Sequence, residues 1–198
     1  MSNSCGNVWF GGVKFLIMII GVTGTIGAGK GSIVEYLIQQ KHFVHISARS
    51  IWTLELEARG MDVNRDTMTV LANELRAQHG ADYFVRKALA EVEDLQNVVI
   101  ESIRTVAEVE LLKQKGAVLL GIDADQSLRY ERVYGRGSAL DDVTFEDFLR
   151  QEKAEMINAD PTKQNLLEVI EMSDYTIMNN GSLEELEAQV DIFLQKFE

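Results

Sequence analysis

A lysine set among glycines is the first group in this chain with the means to do chemistry. Residues 24–32 read Gly24-Thr25-Ile26-Gly27-Ala28-Gly29-Lys30-Gly31-Ser32. Glycines at this spacing let the backbone curl until successive N–H groups face one point. An apolar run, FLIMIIGV, leads into the loop. A helix is expected after it, and the positive end of its dipole faces the same point. Lys30 adds a mobile ammonium for the outer phosphates. The pattern predicts a phosphate-binding loop for a nucleoside triphosphate with magnesium. All nine residues from Gly24 to Ser32 are expected nucleotide contacts, and Lys30 is the expected catalytic charge. Gly31 stands where Ser or Thr usually follows the lysine, and Ser32 comes next. Ser32 either reaches the magnesium or touches the α-phosphate and caps the helix.

Other charged residues fall where an apolar segment ends. Glu101 closes the segment NVVIE. An acid at the end of a neighbouring strand suits magnesium, often through water, and the plainer role is a cap on the next helix. Arg104 follows one turn later and has the planar fork to grip a phosphate; its alternative is a surface ion pair. Arg129, Arg132 and Arg136 repeat at spacings of three and four, which sets them along one helical face. The glycines around Arg136 make a flexible turn, so these arginines can swing onto a transferring phosphoryl group. The alternative is a solvated face paired with Glu131, Asp141 and Asp142. Arg49, Arg65, Arg76 and Arg86 form a further group suited to holding an acceptor, although each alone reads as a surface charge. His42, His45 and His79 have no metal-ligand partner at useful spacing and read as structural.

The elements that must position these groups alternate between strand-like and helix-like patterns. That order predicts an α/β fold with a parallel sheet. Strands are expected over residues 15–22, 43–46, 97–101, 117–123 and 175–178. Helices are expected over 30–41, 48–59, 66–79, 81–94, 126–134 and 144–157. Capping boxes Thr105-x-x-Glu108 and Ser182-x-x-Glu185 open two more. Ligands in such sheets bind at the carboxyl ends of the strands, where the loop, Glu101 and Arg104 all fall. Residues 1–12 read as a flexible, dispensable extension, and 13–198 as a single domain.

Composition excludes several classes of partner. The chain has 198 residues, 46% of them hydrophobic, and a net charge of −12. Such a charge repels nucleic acid and anionic membranes, so neither is an expected partner. An anionic ligand must then be held by local arginines. The single cysteine, Cys5, cannot form an internal disulfide and fits a reducing cytoplasm. The apolar run before the loop is too short to span a bilayer, and the first ten residues lack the basic residues of a secretory leader. A cytoplasmic monomer or homodimer is expected.

Residues 15–197 resemble the small phosphate-loop kinases of metabolites, the group that holds dephospho-coenzyme A kinase, deoxynucleoside monophosphate kinase and adenylate-kinase-related proteins. The stretches that carry the resemblance are GVTGTIGAGKGS, RDTMTVLANELRAQHGADYFVRKAL, VVIESIRTVAEVELLKQKGAVLLGIDA, RYERVYGRG and SDYTIMNNGSLEEL. The resemblance implies a three-layer P-loop NTPase fold, with a five-stranded parallel sheet flanked by helices and a small helical lid. It implies ATP and Mg2+ as cofactors and Arg132 and Arg136 as lid arginines. It further implies Asn179, Asn180 and Gly181 as the turn against the adenine, and Arg104 as an acceptor contact.

Two departures narrow the acceptor. Where adenylate kinases carry Gly-Asp-x-x-Arg, this chain has Ser50 and Thr53 in place of the aspartate and arginine. Where dephospho-coenzyme A kinases carry an aspartate base, Ser47-Ala48-Arg49 has no carboxylate. A hydroxyl acceptor benefits from a base, whereas a phosphate is already an anionic nucleophile. The expectation is therefore an ATP-dependent transferase acting on a nucleotide, a (deoxy)nucleoside monophosphate. The alternatives are dephospho-coenzyme A kinase and a nucleotide-binding regulatory protein that transfers nothing. The guanine-reading Asn-Lys-x-Asp motif is absent, which weakens a GTP switch.

Overall fold

The apolar run before the phosphate loop is cut in two. In the computed structural model, which describes residues 6–10, 13–92, 97–135 and 144–197, Gly6–Phe10 (β1) pairs antiparallel with Val13–Ile17 (β2). The chain then enters the main sheet as Ile19–Gly24 (β3). The single strand expected over 15–22 is thus two, and residues 6–10, read as part of a flexible extension, form a strand. The cause is the length of the neighbouring strand. Val98–Glu101 (β5) begins opposite Ile19, so the backbone upstream of Met18 has no partner in the sheet. It satisfies its N–H and C=O groups against β1 instead.

The main sheet also contains Val44–Ser47 (β4), Val118–Asp123 (β6) and Tyr175–Met178 (β7). Its order is β4-β5-β3-β6-β7, and every pairing is parallel. Helices cover both faces, which is why the strands read as nearly continuous apolar runs. Lys30–Lys41 (α1) and Leu183–Phe197 (α9) lie on one face. There Ile33, Leu37, Val190 and Phe193 pack on Ile20, Val22, Val99 and Ile177. The other face carries Ala48–Ala58 (α2), Arg65–His79 (α3), Tyr83–Ala90 (α4) and Val106–Gln114 (α5). There Trp52, Leu56, Leu75, Phe84 and Leu112 pack on Ile46, Val98, Ile100 and Leu119. Alternate residues of each strand serve opposite faces, so Val99 faces α1 while Val98 and Ile100 face the α2–α5 layer.

Gln126–Tyr134 (α6) and Phe145–Met156 (α7) flank the glycine-bearing turn, whose residues 136–143 lie outside the described set. A short helix not expected from the sequence, Leu166–Glu171 (α8), buries Leu166 and Val169 beside β3. The five-stranded parallel sheet flanked by helices is the P-loop NTPase fold expected from the sequence. Among the described residues no helix is long and apolar enough to cross a membrane.

Candidate active site

β3 ends at Gly24, and the chain turns through the glycine loop into α1 at Lys30. Gly27 and Gly29 hold φ values of 79° and 102°, the left-handed region that favours glycine. A side chain at Gly27 would strike the Arg129 carbonyl, and one at Gly29 the Asn179 amide. Gly29 is the N-cap of α1 and supplies no side-chain cap, so the helix start faces the loop with its backbone alone. Gly31 has open space where a Cβ would stand, so its usual Ser or Thr is absent for no steric reason.

The carbonyl oxygens of this loop are held by its own lysine and by side chains from across the fold. Lys30 Nζ donates to Gly24 O at 2.8 Å and Thr25 O at 2.7 Å. Arg129 Nη1 donates to Ile26 O at 3.2 Å, and Asn179 Nδ2 donates to Ala28 O at 2.8 Å. Thr25 Oγ1 donates to Asp123 Oδ1 at 2.6 Å. The negative ends of the loop's peptide dipoles are thereby tied down. An anion meets the positive ends.

Glu101 closes β5, directly opposite Ser47 on β4 and Val22 on β3. His45 Nε2 lies 3.4 Å from its Oε1. Burial pushes the Glu101 carboxyl up, but His45, then Ser47 and Lys30, more than offset it and leave it below the usual carboxylate value. Glu101 is thus ionised at neutral pH. Ser102, next in the chain, is a non-glycine residue with φ 69°. Such strain tends to persist where a site over-determines the backbone. His45 belongs to this cluster, although its sequence context read as structural. Only the pairing of β4 with β5 brings it there.

The expected arginines separate. Arg129 is 6% exposed: Nε donates to Ala124 O at 2.8 Å, and Nη1 also pairs with Glu152 on α7. It holds the loop through the Ile26 carbonyl. Arg132, one turn on, has a buried Nη1 with no hydrogen-bond partner among the described residues. Arg136 and the side chain of Arg65 lie outside the described set. Arg104 stands at the rim after β5, where Nη1 donates to Glu155 Oε2 at 2.6 Å and Gln164 Oε1 at 2.9 Å. Arg49 is exposed on the first turn of α2. Arg76 is 2% exposed and pairs through Nη2 with Glu108 at 3.3 Å, while its Nε and Nη1 are buried with no hydrogen-bond partner among the described residues.

The Asn179–Gly181 turn knits to the end of β6. Asn179 N donates to Asp123 O at 2.8 Å, and the Asn180 amide exchanges hydrogen bonds with Asp125. Both asparagine side chains are therefore committed within the protein. No cluster of three metal-ligating side chains occurs among the described residues. Magnesium takes one or two protein ligands beside phosphate and water. The ionised Glu101 and the exposed Ser32 hydroxyl fit that donor set.

A family model described as an AAA domain matches residues 20–158, and the chain belongs to that family. The UPF0200 protein of Thermococcus kodakarensis is 30% identical over 87% of this chain and 94% of its own length, which places this chain in the UPF0200 family as well. Among solved structures, TT1252 from Thermus thermophilus covers 92% of this chain and 98% of its own, with a TM-score of 0.59 and 21% identity. Shikimate kinase from Bacteroides thetaiotaomicron covers 90% and 98%, with a TM-score of 0.58 and 16% identity. These likenesses show a P-loop kinase-like fold.

Proposed function

We propose that this member of the AAA-domain and UPF0200 families transfers the terminal phosphoryl group of ATP to a nucleotide, a (deoxy)nucleoside monophosphate. The observation that carries the reading is the glycine loop itself. Its carbonyls are held by Lys30, Arg129 and Asn179, and an ionised Glu101 stands on the adjacent strand end. Loop amides and the α1 N-terminus would bind the phosphates, and Lys30 would follow the charge of the transferring group. Glu101 and Ser32 would hold magnesium, which when bound neutralises charge on the outer phosphate oxygens. Arg132 and Arg136 would close over the transferring group, and Arg104 with Arg49 would hold the acceptor.

The end of β4, Ser47-Ala48-Arg49, brings a cation and no base, which favours a phosphate nucleophile. A second reading has one supporting observation. His45 beside Glu101 makes a pair able to accept the proton of a hydroxyl acceptor such as dephospho-coenzyme A. The test is ADP release on a panel of ribo- and deoxyribonucleoside monophosphates beside dephospho-coenzyme A. Turnover of a monophosphate supports the first reading, and turnover of dephospho-coenzyme A alone replaces it with the second. ATP binding without acceptor-dependent ADP release would mark a regulatory protein.

A further inference from the structure

Arg104 is already gripped by an anion of the protein's own. Its Nη1 lies 2.6 Å from Glu155 Oε2, and both side chains are partly exposed, 23% and 17%. Gln164 Oε1 adds a neutral acceptor at 2.9 Å. Glu155 is presented by a tethered helix. One turn earlier on α7, Glu152 pairs with the buried Arg129 and accepts from Gln126 Nε2 at 2.6 Å. A carboxylate on a guanidinium is the same charge-assisted pair that a ligand phosphate or carboxylate would form there.

We propose that Glu155 is a specificity-determining residue: it occupies Arg104 as an internal anion that an acceptor's phosphate must displace. The proposal rests on Arg104 as the acceptor contact in the reading above. An incoming monocarboxylate carries no more charge than Glu155 and also loses its free translation on binding, so it gains nothing by the exchange. A phosphate monoester carries close to two charges at neutral pH, offers three oxygens and wins it. The rim would thus select phosphate monoesters over carboxylates and over neutral acceptors.

The test is calorimetric titration of the full chain with inorganic phosphate and, separately, acetate, after the glycine loop has been saturated with magnesium and the β,γ-imido analogue of ATP. E155Q is expected to bind phosphate about tenfold tighter than the unmodified protein and to show measurable acetate binding, since a competing charge is gone. R104Q/E155Q should lose both gains. Q164A should show neither, because it removes no charge. Unchanged or weaker phosphate binding by folded E155Q overturns the proposal, as does a gain that persists in R104Q/E155Q. Should E155Q fail to fold, E155A removes the same charge without adding an amide; the same gain is then expected, and its absence overturns the proposal. The kinase reading fails separately. A protein with the expected E155Q gain but no turnover on any acceptor loses that reading and keeps this one. A protein that turns over a monophosphate with the same KM in E155Q keeps that reading and loses this one.

Discussion

The side-chain amide of Asn179 donates to the backbone carbonyl of Ala28 at 2.8 Å, across 151 residues of sequence. The bond ties the end of the last sheet strand to the middle of the phosphate loop. It also explains why position 29 is glycine, since a Cβ there would occupy the place of that amide. Asn179 is 5% exposed, so neither partner has water to fall back on.

Replacing Asn179 with Ala leaves the Ala28 carbonyl unpaired in a buried place. That costs about 1–3 kcal/mol. A melting point lower by roughly 2–4 °C per kcal/mol is expected for a domain of this size. Affinity for ATP should fall as well, because the loop loses one of its outer anchors. Differential scanning calorimetry and a nucleotide titration check both. A variant that melts earlier but binds ATP unchanged would leave Asn179 a purely structural residue.

Lys30→Ala should leave the melting point nearly unchanged, since Lys30 is partly exposed and its hydrogen bonds to Gly24 O and Thr25 O lie within its own loop. Turnover should fall by about 10²–10³ or more, because a preorganised charge aimed at the transition state is lost. Steady-state kinetics on the acceptor found in the panel is the measurement. Normal turnover by the folded variant would remove Lys30 from the chemistry.

Arg76→Ala should be far more costly to stability than to binding. The guanidinium is 2% exposed, and its partner Glu108 also accepts from the backbone N–H groups of Arg104 and Thr105. Breaking a buried pair by removing one partner costs about 3–5 kcal/mol. Chemical denaturation reads this directly. A fully stable variant that has lost acceptor affinity would instead return Arg76 to the acceptor site.

Asp191 gives a pH-dependent clasp between α1 and α9. It accepts from Lys41 at 2.7 Å and from the Tyr36 hydroxyl at 3.0 Å. The Lys41 hydrogen bond draws its carboxyl below the usual value, burial opposes this, and Tyr36 adds to the lowering. A depressed carboxyl stabilises the fold above its unfolded value of about 3.9, and the contribution fades as pH falls through the folded value. At pH 7, D191N should lose only about 0.2–1 kcal/mol, given the exposure of the pair. Below the folded value the two proteins should melt together. A gap that widens as the pH falls would contradict this assignment.

Much of the fold is written in local pattern. α1 begins at Lys30 and ends at Lys41, α6 spans Gln126–Tyr134 and β7 spans Tyr175–Met178, all at the residues the sequence indicates. These are set by side-chain periodicity and caps within a few residues. The Thr105 and Glu108 capping box is present in its hydrogen bonds, as is that of Ser182 and Glu185. The glycine loop is legible for the same reason, because the left-handed backbone at Gly27 and Gly29 is a demand met on the spot.

What tertiary structure alone decided lies in strand order and in what packs on each helix face. Spacing sets Arg129 and Arg132 one turn apart, yet one is locked against Ile26, Ala124 and Glu152 while the other keeps a buried Nη1 with no partner among the described residues. Arg76 gives no local sign of burial; it meets Glu108 only because α3 and α5 cover the same face of the sheet. His45 reaches Glu101 because β4 pairs with β5, and Asn179 reaches Ala28 because the chain leaves β7 beside the end of β6. Periodicity acts over a few residues and can name the loop, the strands and the helices. The partners of a charge are chosen by the packing of segments tens to more than a hundred residues apart, where burial makes each unpaired polar atom costly enough to select its neighbour.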